Sequence, residues 1–342
     1  MIKRILIFST SLFFLNLSLF GQEFIKTYYD KNNSVVKEEY FAFVNDKDTV
    51  KHGNYKFYGK NGNILQEGEF ADNLTEGKWK IYYENGNIKS EINFKKNKRT
   101  GKFLHYYISG EKEQEGVYKN SFPDGKIVTY YKNGNIKSEG FYENGLLNGK
   151  VFRYRNDGTL SEVQNYVYGK ENGLWESYYD TGELNYRGKK VEGLYSDTLY
   201  VYYKSGNIER KSFYKNGLLD GKLTAYYENG VLMAEYNYKN GALNGEYKSY
   251  HNNGQPAEYG KYKDNLRTGF WKAFYPDGKL FAEGNYLKGE YEGKWIVYFN
   301  NGKIKQEGGF INGKEDGVWK IFDKNGNLKE KNKYIAGKKH IK

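Results

Sequence analysis

The chain has 342 residues and a formal charge of +12, with 37 tyrosines, 41 glycines, three prolines and no cysteine. A mean hydropathy of −0.90 is too polar for one large buried core, and an aromatic fraction of 18% is too high for a disordered chain. The missing cysteine excludes disulfides, thiol nucleophiles and a cysteine-linked lipid anchor.

Met1 to Gly21 reads as a signal peptide. Lys3 and Arg4 precede the apolar run Ile5–Leu19, which is short for a membrane span. Cleavage is expected after Gly21, which places the remainder in the periplasm, the outer envelope or the extracellular space. Residues 22–52 read as an imperfect N-terminal capping repeat. Tyr28-Tyr29 matches Tyr82-Tyr83, but six residues are inserted before Tyr58, and Val35–Val44 suits a longer hairpin.

From Gly53 to His340 a 24-residue unit recurs twelve times, and its period is marked by Gly62, Gly86, Gly110 and so on to Gly326. With Gly53 as position 1, position 6 is aromatic in every unit. Position 18 is aromatic except at Lys190, and all five tryptophans (Trp79, Trp175, Trp271, Trp295, Trp319) sit at position 3. Short aromatic and β-branched runs between glycine turns are strands, and a period of this length means a repeat array. The fold class expected is all-β: an elongated single antiparallel sheet of stacked β-hairpins.

Asn-Gly at positions 9 and 10 predicts a two-residue type I′ turn. Position 21, usually glycine or asparagine, predicts a left-handed residue in a second, longer turn. The first turn sets position 7 against 12 and position 3 against 16, so Trp271 should meet Gly284, Trp295 Gly308 and Trp175 Gly188. Positions 3, 7, 12, 16 and 18 then share one face. Position 6 falls on the other, beside the lysines of position 4 and the glutamates of position 15. Lys80 should pair with Glu91 and Lys272 with Glu283. Arg187, Lys190 and Asp197 replace the usual residues, which predicts a bend, bulge or looser pairing between them.

The pattern G-K-W-x-x-Y-Y-x-N-G-x-I/L-x-x-E-G-x-Y/F resembles the MORN-repeat variant seen in bacterial proteins labelled as YwqK-type antitoxin components. The resemblance covers nearly everything after residue 53. It implies stacked antiparallel hairpins, no catalytic activity and a role in binding or scaffolding, with a toxin as partner. Related arrays imply contact with a membrane surface.

No catalytic constellation is legible. His52, His105, His251 and His340 lack metal-ligand spacing, and the glutamates of position 15 recur singly. No enzyme activity, metal or cofactor is expected. Dispersed charge and an export signal argue against nucleic acid. The binding residues expected are the tyrosines of position 6 in mid-array: Tyr106, Tyr130, Tyr154, Tyr178, Tyr202 and Tyr226. The first reading is a non-enzymatic scaffold of the envelope that binds a protein. The alternative is a binder of glycan or cell-surface polymer through that tyrosine row.

Overall fold

The computed structural model describes residues 3–5, 21–46 and 48–340. Apart from the strand Lys3–Ile5, which pairs with Phe24–Lys26, the expected signal peptide lies outside the described residues. Among the described residues there is no helix; the chain is strand and turn throughout. Its contacts form two compact units, residues 1–170 and 171–342. Within each unit strands pair antiparallel with their neighbours in chain order. The all-β reading as hairpins in succession therefore holds.

The two turns of the repeat are the reverse of the sequence expectation. At the Asn-Gly turn, Gly62 N donates to the Gly59 carbonyl and Gly59 N to the Asn63 carbonyl, both at 2.9 Å. Lys60 and Asn61 are therefore the centre of an ordinary turn, and Gly62, at φ +83°, is a left-handed third residue. Asn61 has no positive φ; its side chain accepts from Asn63 N at 3.1 Å. Asparagine is favoured here because it makes this local bond, which stiffens the turn. The true two-residue turn lies at positions 20 and 21, where Asp72 and Asn73 have φ of 51° and 64°. It connects the directly paired Ala71 and Leu74.

A three-residue loop shifts the register by one, so position 6 pairs with 12: Tyr58 with Ile64, Tyr130 with Ile136, Tyr298 with Ile304. Position 12 thus shares the face of position 6 rather than that of position 3, as directly opposed residues do. A bulge next to this pair takes up the extra residue. From position 5 outward the expected register returns, with Trp271 opposite Gly284 and Trp295 opposite Gly308.

A second irregularity joins each hairpin to the next. Glu67 pairs with Lys80 and Glu69 with Glu76, so Gly68 faces a stretch of Gly77–Trp79. Gly77 sits at φ +69°, which explains why position 1 is nearly always glycine. The irregularity redirects the tryptophan. Trp271 lies over Gly260 of the preceding hairpin, with ring atoms 2.1 Å from where a Cβ would stand. Trp295 covers Gly284 and Trp319 covers Gly308 in the same way. The sequence reading placed each ring over the following glycine. In this seat the indole N–H of three of these rings finds a backbone acceptor, which for Trp271 is Thr268 O at 3.2 Å. Trp295 Nε1 donates to Asn285 O at 2.9 Å and Trp319 Nε1 to Gly309 O at 3.1 Å, both carbonyls beside the irregular step. Gly188 is covered by Leu199, not by Trp175.

Position 3 is the buried row: Tyr55, Trp79, Phe103, Ile127 and Val151 in the first unit, and Leu199, Leu223, Trp271 and Trp319 in the second. Position 18 packs edge-on to it. The Tyr262 and Tyr286 rings stand 5.2 and 5.7 Å from that of Trp271, nearly perpendicular in the first case. At the N-terminal end Ile25, Tyr40, Ala42 and Tyr55 join Trp79 in one cluster, and the extra residues of that region are spread over both loops and the strands.

Pairing does not loosen between Arg187 and Asp197. Arg187 lies opposite Tyr200 and Tyr186 opposite Val201, in the register found elsewhere. Arg187 pairs with Glu176 at 2.7 Å, and Lys190, in place of the aromatic, reaches Glu171 at 2.5 Å and lies over the Trp175 ring at 3.5 Å. Asp197 keeps the left-handed conformation of the glycine it replaces, at φ 68°.

Candidate functional site

The face opposite the buried row carries positions 2, 4, 6, 15 and 17. All six tyrosines of the expected row are half-buried on it. Three sit in the first unit. The Tyr154 hydroxyl donates to Glu139 at 3.2 Å and the Tyr130 hydroxyl to Glu115. Burial raises the Tyr106 pKa, and the nearby Glu91 carboxylate adds to that shift. The other three sit in the second unit. Tyr178 donates to Glu176 at 3.0 Å, Tyr202 stacks on Tyr200, and Lys211 lies 5.6 Å from the Tyr226 ring centre. Burial and the Glu115 hydrogen bond push Tyr130 up to about 12. The same bond, and then that from Lys112, hold the Glu115 carboxyl below its ordinary value. The Tyr130 and Tyr154 hydroxyls are thereby tied to carboxylates of the preceding hairpin and stitch the sheet, whereas Tyr178 bonds within its own strand.

Sequence reasoning passed over a second tyrosine row. At position 7 the hydroxyls of Tyr83, Tyr107 and Tyr131 donate to the carbonyls of Tyr106, Tyr130 and Tyr154, at 2.7–2.9 Å. Tyr179, Tyr203 and Tyr275 do the same in the second unit. The tyrosine doublet Tyr-Tyr was the signal: one hydroxyl stays on the face while the next reaches along the turn edge. Asn63, Asn87 and Asn135 add side-chain amide bonds to the following turn, each at 2.8–2.9 Å. On the opposite edge, N–H groups of position 21 donate to the preceding hairpin, as Gly145 does to Pro123 at 2.8 Å.

The expected ion pairs are found in part. Lys272 reaches Glu283 at 3.4 Å. Lys80 instead turns to Glu67 at 3.7 Å, and Glu91 is taken by Lys78 at 3.0 Å. Exposed pairs of this kind contribute up to about 1 kcal/mol each.

Between residues 101 and 152 the face changes character. Leu104, Val128 and Phe152 occupy position 4, where Lys56, Lys80, Lys272 and Lys320 stand elsewhere. Leu104, Val117 and Val128 floor a groove of about 490 Å³, with Lys102, Lys112 and Lys126 at its margin. Phe141, 54% exposed, continues the apolar surface. Large exposed apolar side chains gathered on one face commonly mark an interaction site. Among the described residues no group of three or more His, Cys, Asp or Glu could hold a metal ion.

No curated protein sequence matches the chain. Solved structures that match the chain include a TcdB2-TccC3 crystal structure, at 10% identity over 92% of this chain and 23% of that one, with a TM-score of 0.17. The form without the hypervariable C-terminal region matches at 11% identity over 90% of this chain and 23% of that one, with a TM-score of 0.15. TcdB2-TccC3-Cdc42 gives 11% identity over 91% and 26%, with a TM-score of 0.12. The chain spans about a quarter of the length of these proteins, and such TM-scores carry no argument. The family model is more informative. The MORN repeat variant matches residues 51–72, 75–96, 123–144, 198–216, 219–240, 243–264, 267–288, 291–312 and 315–336. Most of these segments run from one two-residue turn to the next and so enclose one hairpin each. They cover more than half of the sequence, and this chain belongs to the MORN repeat variant family.

Proposed function

We propose that the chain is a non-enzymatic repeat scaffold that binds a protein partner outside the cytoplasm, in an immunity- or antitoxin-like role. The observation that carries this reading is the apolar, lysine-edged surface of residues 101–152. Paired strands form its floor. Leu104, Val117 and Phe141 do nothing for the buried row on the other face; Leu104 stands at a position filled by Lys56, Lys80, Lys248, Lys272 and Lys320 in other hairpins, and Val117 and Phe141 at one where most other hairpins carry Asn, Lys, Glu or Gly. A site built on rigid strands needs little ordering when a partner arrives.

The test is a complex isolated from exported proteins with the full chain as bait. A single partner at one-to-one stoichiometry is expected. It should slow hydrogen exchange across residues 101–152 and be lost in Phe141→Glu. A partner that leaves exchange there unchanged, or survives Phe141→Glu, overturns the assignment of this surface. Failure to find any stoichiometric protein overturns the scaffold reading.

A further inference from the structure

The surface of the first unit carries a second regularity that the repeat itself does not require. Lys78, Lys102, Lys126 and Lys150 occupy position 2 of four successive hairpins, and all four are exposed. In the second unit the same position holds Leu174, Thr198, Lys222, Glu246, Phe270, Lys294 and Val318. The first unit thus has an unbroken row of four lysines and the second has none.

The charges of this row point outward. Lys78 and Lys126 are 54% and 51% exposed, while their partners Glu91 and Glu139 are recessed at 16% and 19%. Glu115 is tied to Lys112 and to Tyr130. The recessed carboxylates serve the sheet, and the ammonium groups are what an approaching molecule meets. Beside them lie Leu104, Val117 and Val128.

The spacing of the row selects an occupant. Two strands per hairpin at about 4.8 Å put successive lysines about 9.6 Å apart. An extended polyproline-II segment has three residues per turn and a rise of about 3.1 Å, so every third side chain recurs on one side after about 9.3 Å. Over the three intervals from Lys78 to Lys150 the mismatch grows to only about 1 Å. An α-helix brings a side chain back to the same side after seven residues, about 10.5 Å, and drifts by nearly 3 Å over the same span. A β-strand turns every third side chain to its other face.

We infer that residues 78–152 form a docking track for an extended acidic segment of a partner protein, with a carboxylate at every third position and apolar residues between. The segment crosses the strands, sets its carboxylates against the lysine row and rests its apolar side chains on Leu104, Val117 and Val128. About ten residues span the track. This inference rests on the scaffold reading and adds the site and chemistry of the partner.

The probe is a synthetic peptide of four Glu-Pro-Leu triplets, titrated against the full chain at low and high salt. The control has the same composition with its four glutamates adjacent. The triplet peptide is expected to bind at least about tenfold tighter than the control and to weaken as salt rises. Lys102→Glu with Lys150→Glu should weaken it at least about tenfold, and Leu104→Lys should weaken it too. That last change installs a residue the fold accepts at Lys80 and Lys272. Lys294→Glu, at the same position in the second unit, should change nothing. Equal binding of the two peptides, or indifference to the lysine reversals, overturns the inference. Binding to phosphatidylglycerol vesicles without binding to the peptide overturns it in favour of a membrane surface. If the peptide fails while a stoichiometric protein is still captured, the track is wrong and the scaffold reading stands. If both fail, both fall.

Discussion

Residues 101–152 and 269–320 share one backbone plan, with the same turns, the same register and the same left-handed position 1. They differ on both faces. On the buried face the later stretch sets Trp271, Trp295 and Trp319 over glycines, where the earlier one has Phe103, Ile127 and Val151. On the outer face both stretches expose apolar side chains, Phe270 and Val318 in the later one and Val117 and Phe141 in the earlier; the later one pairs charges among Lys272, Glu283, Lys294, Glu307 and Lys320, and the earlier one sets Leu104, Val128 and Phe152 at position 4. The turns and the irregular step at position 1 therefore specify the sheet, and the side chains of each face can vary without moving it. Leu104, Val117 and Val128 line one groove in the earlier stretch, and the proposed binding surface rests on that grouping.

The largest effect should separate the buried faces. Trp271→Ala removes a ring that is 2% exposed and should cost about 3–5 kcal/mol locally. Val151→Ala, in the same row of the earlier stretch, should cost about 1–2 kcal/mol. Exchange of amides in the flanking strands measures both. Similar losses would mean that the tryptophans are ornaments on a sheet held by its turns.

The glycines beneath the rings give the next contrast. A Cβ at Gly284 would stand 2.2 Å from the Trp295 ring, and one at Gly140 would stand 3.0 Å from Val151 Cγ2. Gly284→Ala should cost about 3 kcal/mol and Gly140→Ala about 1 kcal/mol. Adding Trp295→Val to Gly284→Ala should recover part of the loss, and strict additivity would show that the clash was not the cause.

Titration should show where the two outer faces agree and where they part. Tyr130 and Tyr298 are both pushed up to about 12, first by burial and then by hydrogen bonds to Glu115 and Glu283. A folded value above the unfolded one means that this stabilisation is complete below about pH 10 and is lost as pH rises through about 12. Tyrosinate absorbance should show both stretches ionising late and together. At acid pH they should differ. Glu307 is lowered first by its hydrogen bond to Lys294, and Glu115 first by its bond from neutral Tyr130. Both contributions are present above the ordinary carboxylate value and are lost as pH falls through the lowered one. High salt should weaken the Glu307 contribution and leave most of that of Glu115.

The period, the strand assignment and the buried row at positions 3, 16 and 18 were legible because they depend on residue type at fixed spacing. The turn types were not. Asn-Gly fits a type I′ turn by propensity, but Asn61 serves through its side chain and Gly62 alone takes the left-handed conformation. The register nevertheless came out right for Trp271 and Gly284, because the longer loop and the adjoining bulge each shift it by one and cancel. The ring's true seat over Gly260 goes with the irregular step at position 1, which no pairwise spacing encodes. The tyrosine row was found by sequence, but not its ties to glutamate, nor the apolar substitution of position 4 beside it.

Asp197 offers the finest test of the claim that backbone specification is separate from the faces. It is the one position 1 from Gly53 to Gly317 that is not glycine, and it holds φ 68° while its carboxylate accepts from Thr198 N at 2.8 Å. A left-handed residue with a Cβ costs about 1 kcal/mol, which that local bond offsets only in part. Asp197→Gly removes the strain but also the bond, and it loosens the unfolded chain. The net expectation is a gain of about 0.5 kcal/mol, seen as slower exchange across the Leu194–Tyr202 strand, with no change at the neighbouring hairpins. A loss of stability would mean that the Asp197–Thr198 bond, rather than the freedom of glycine, holds the step there. The pairing of Arg187 with Glu176 and of Lys190 with Glu171 would then be a second way of building the same joint.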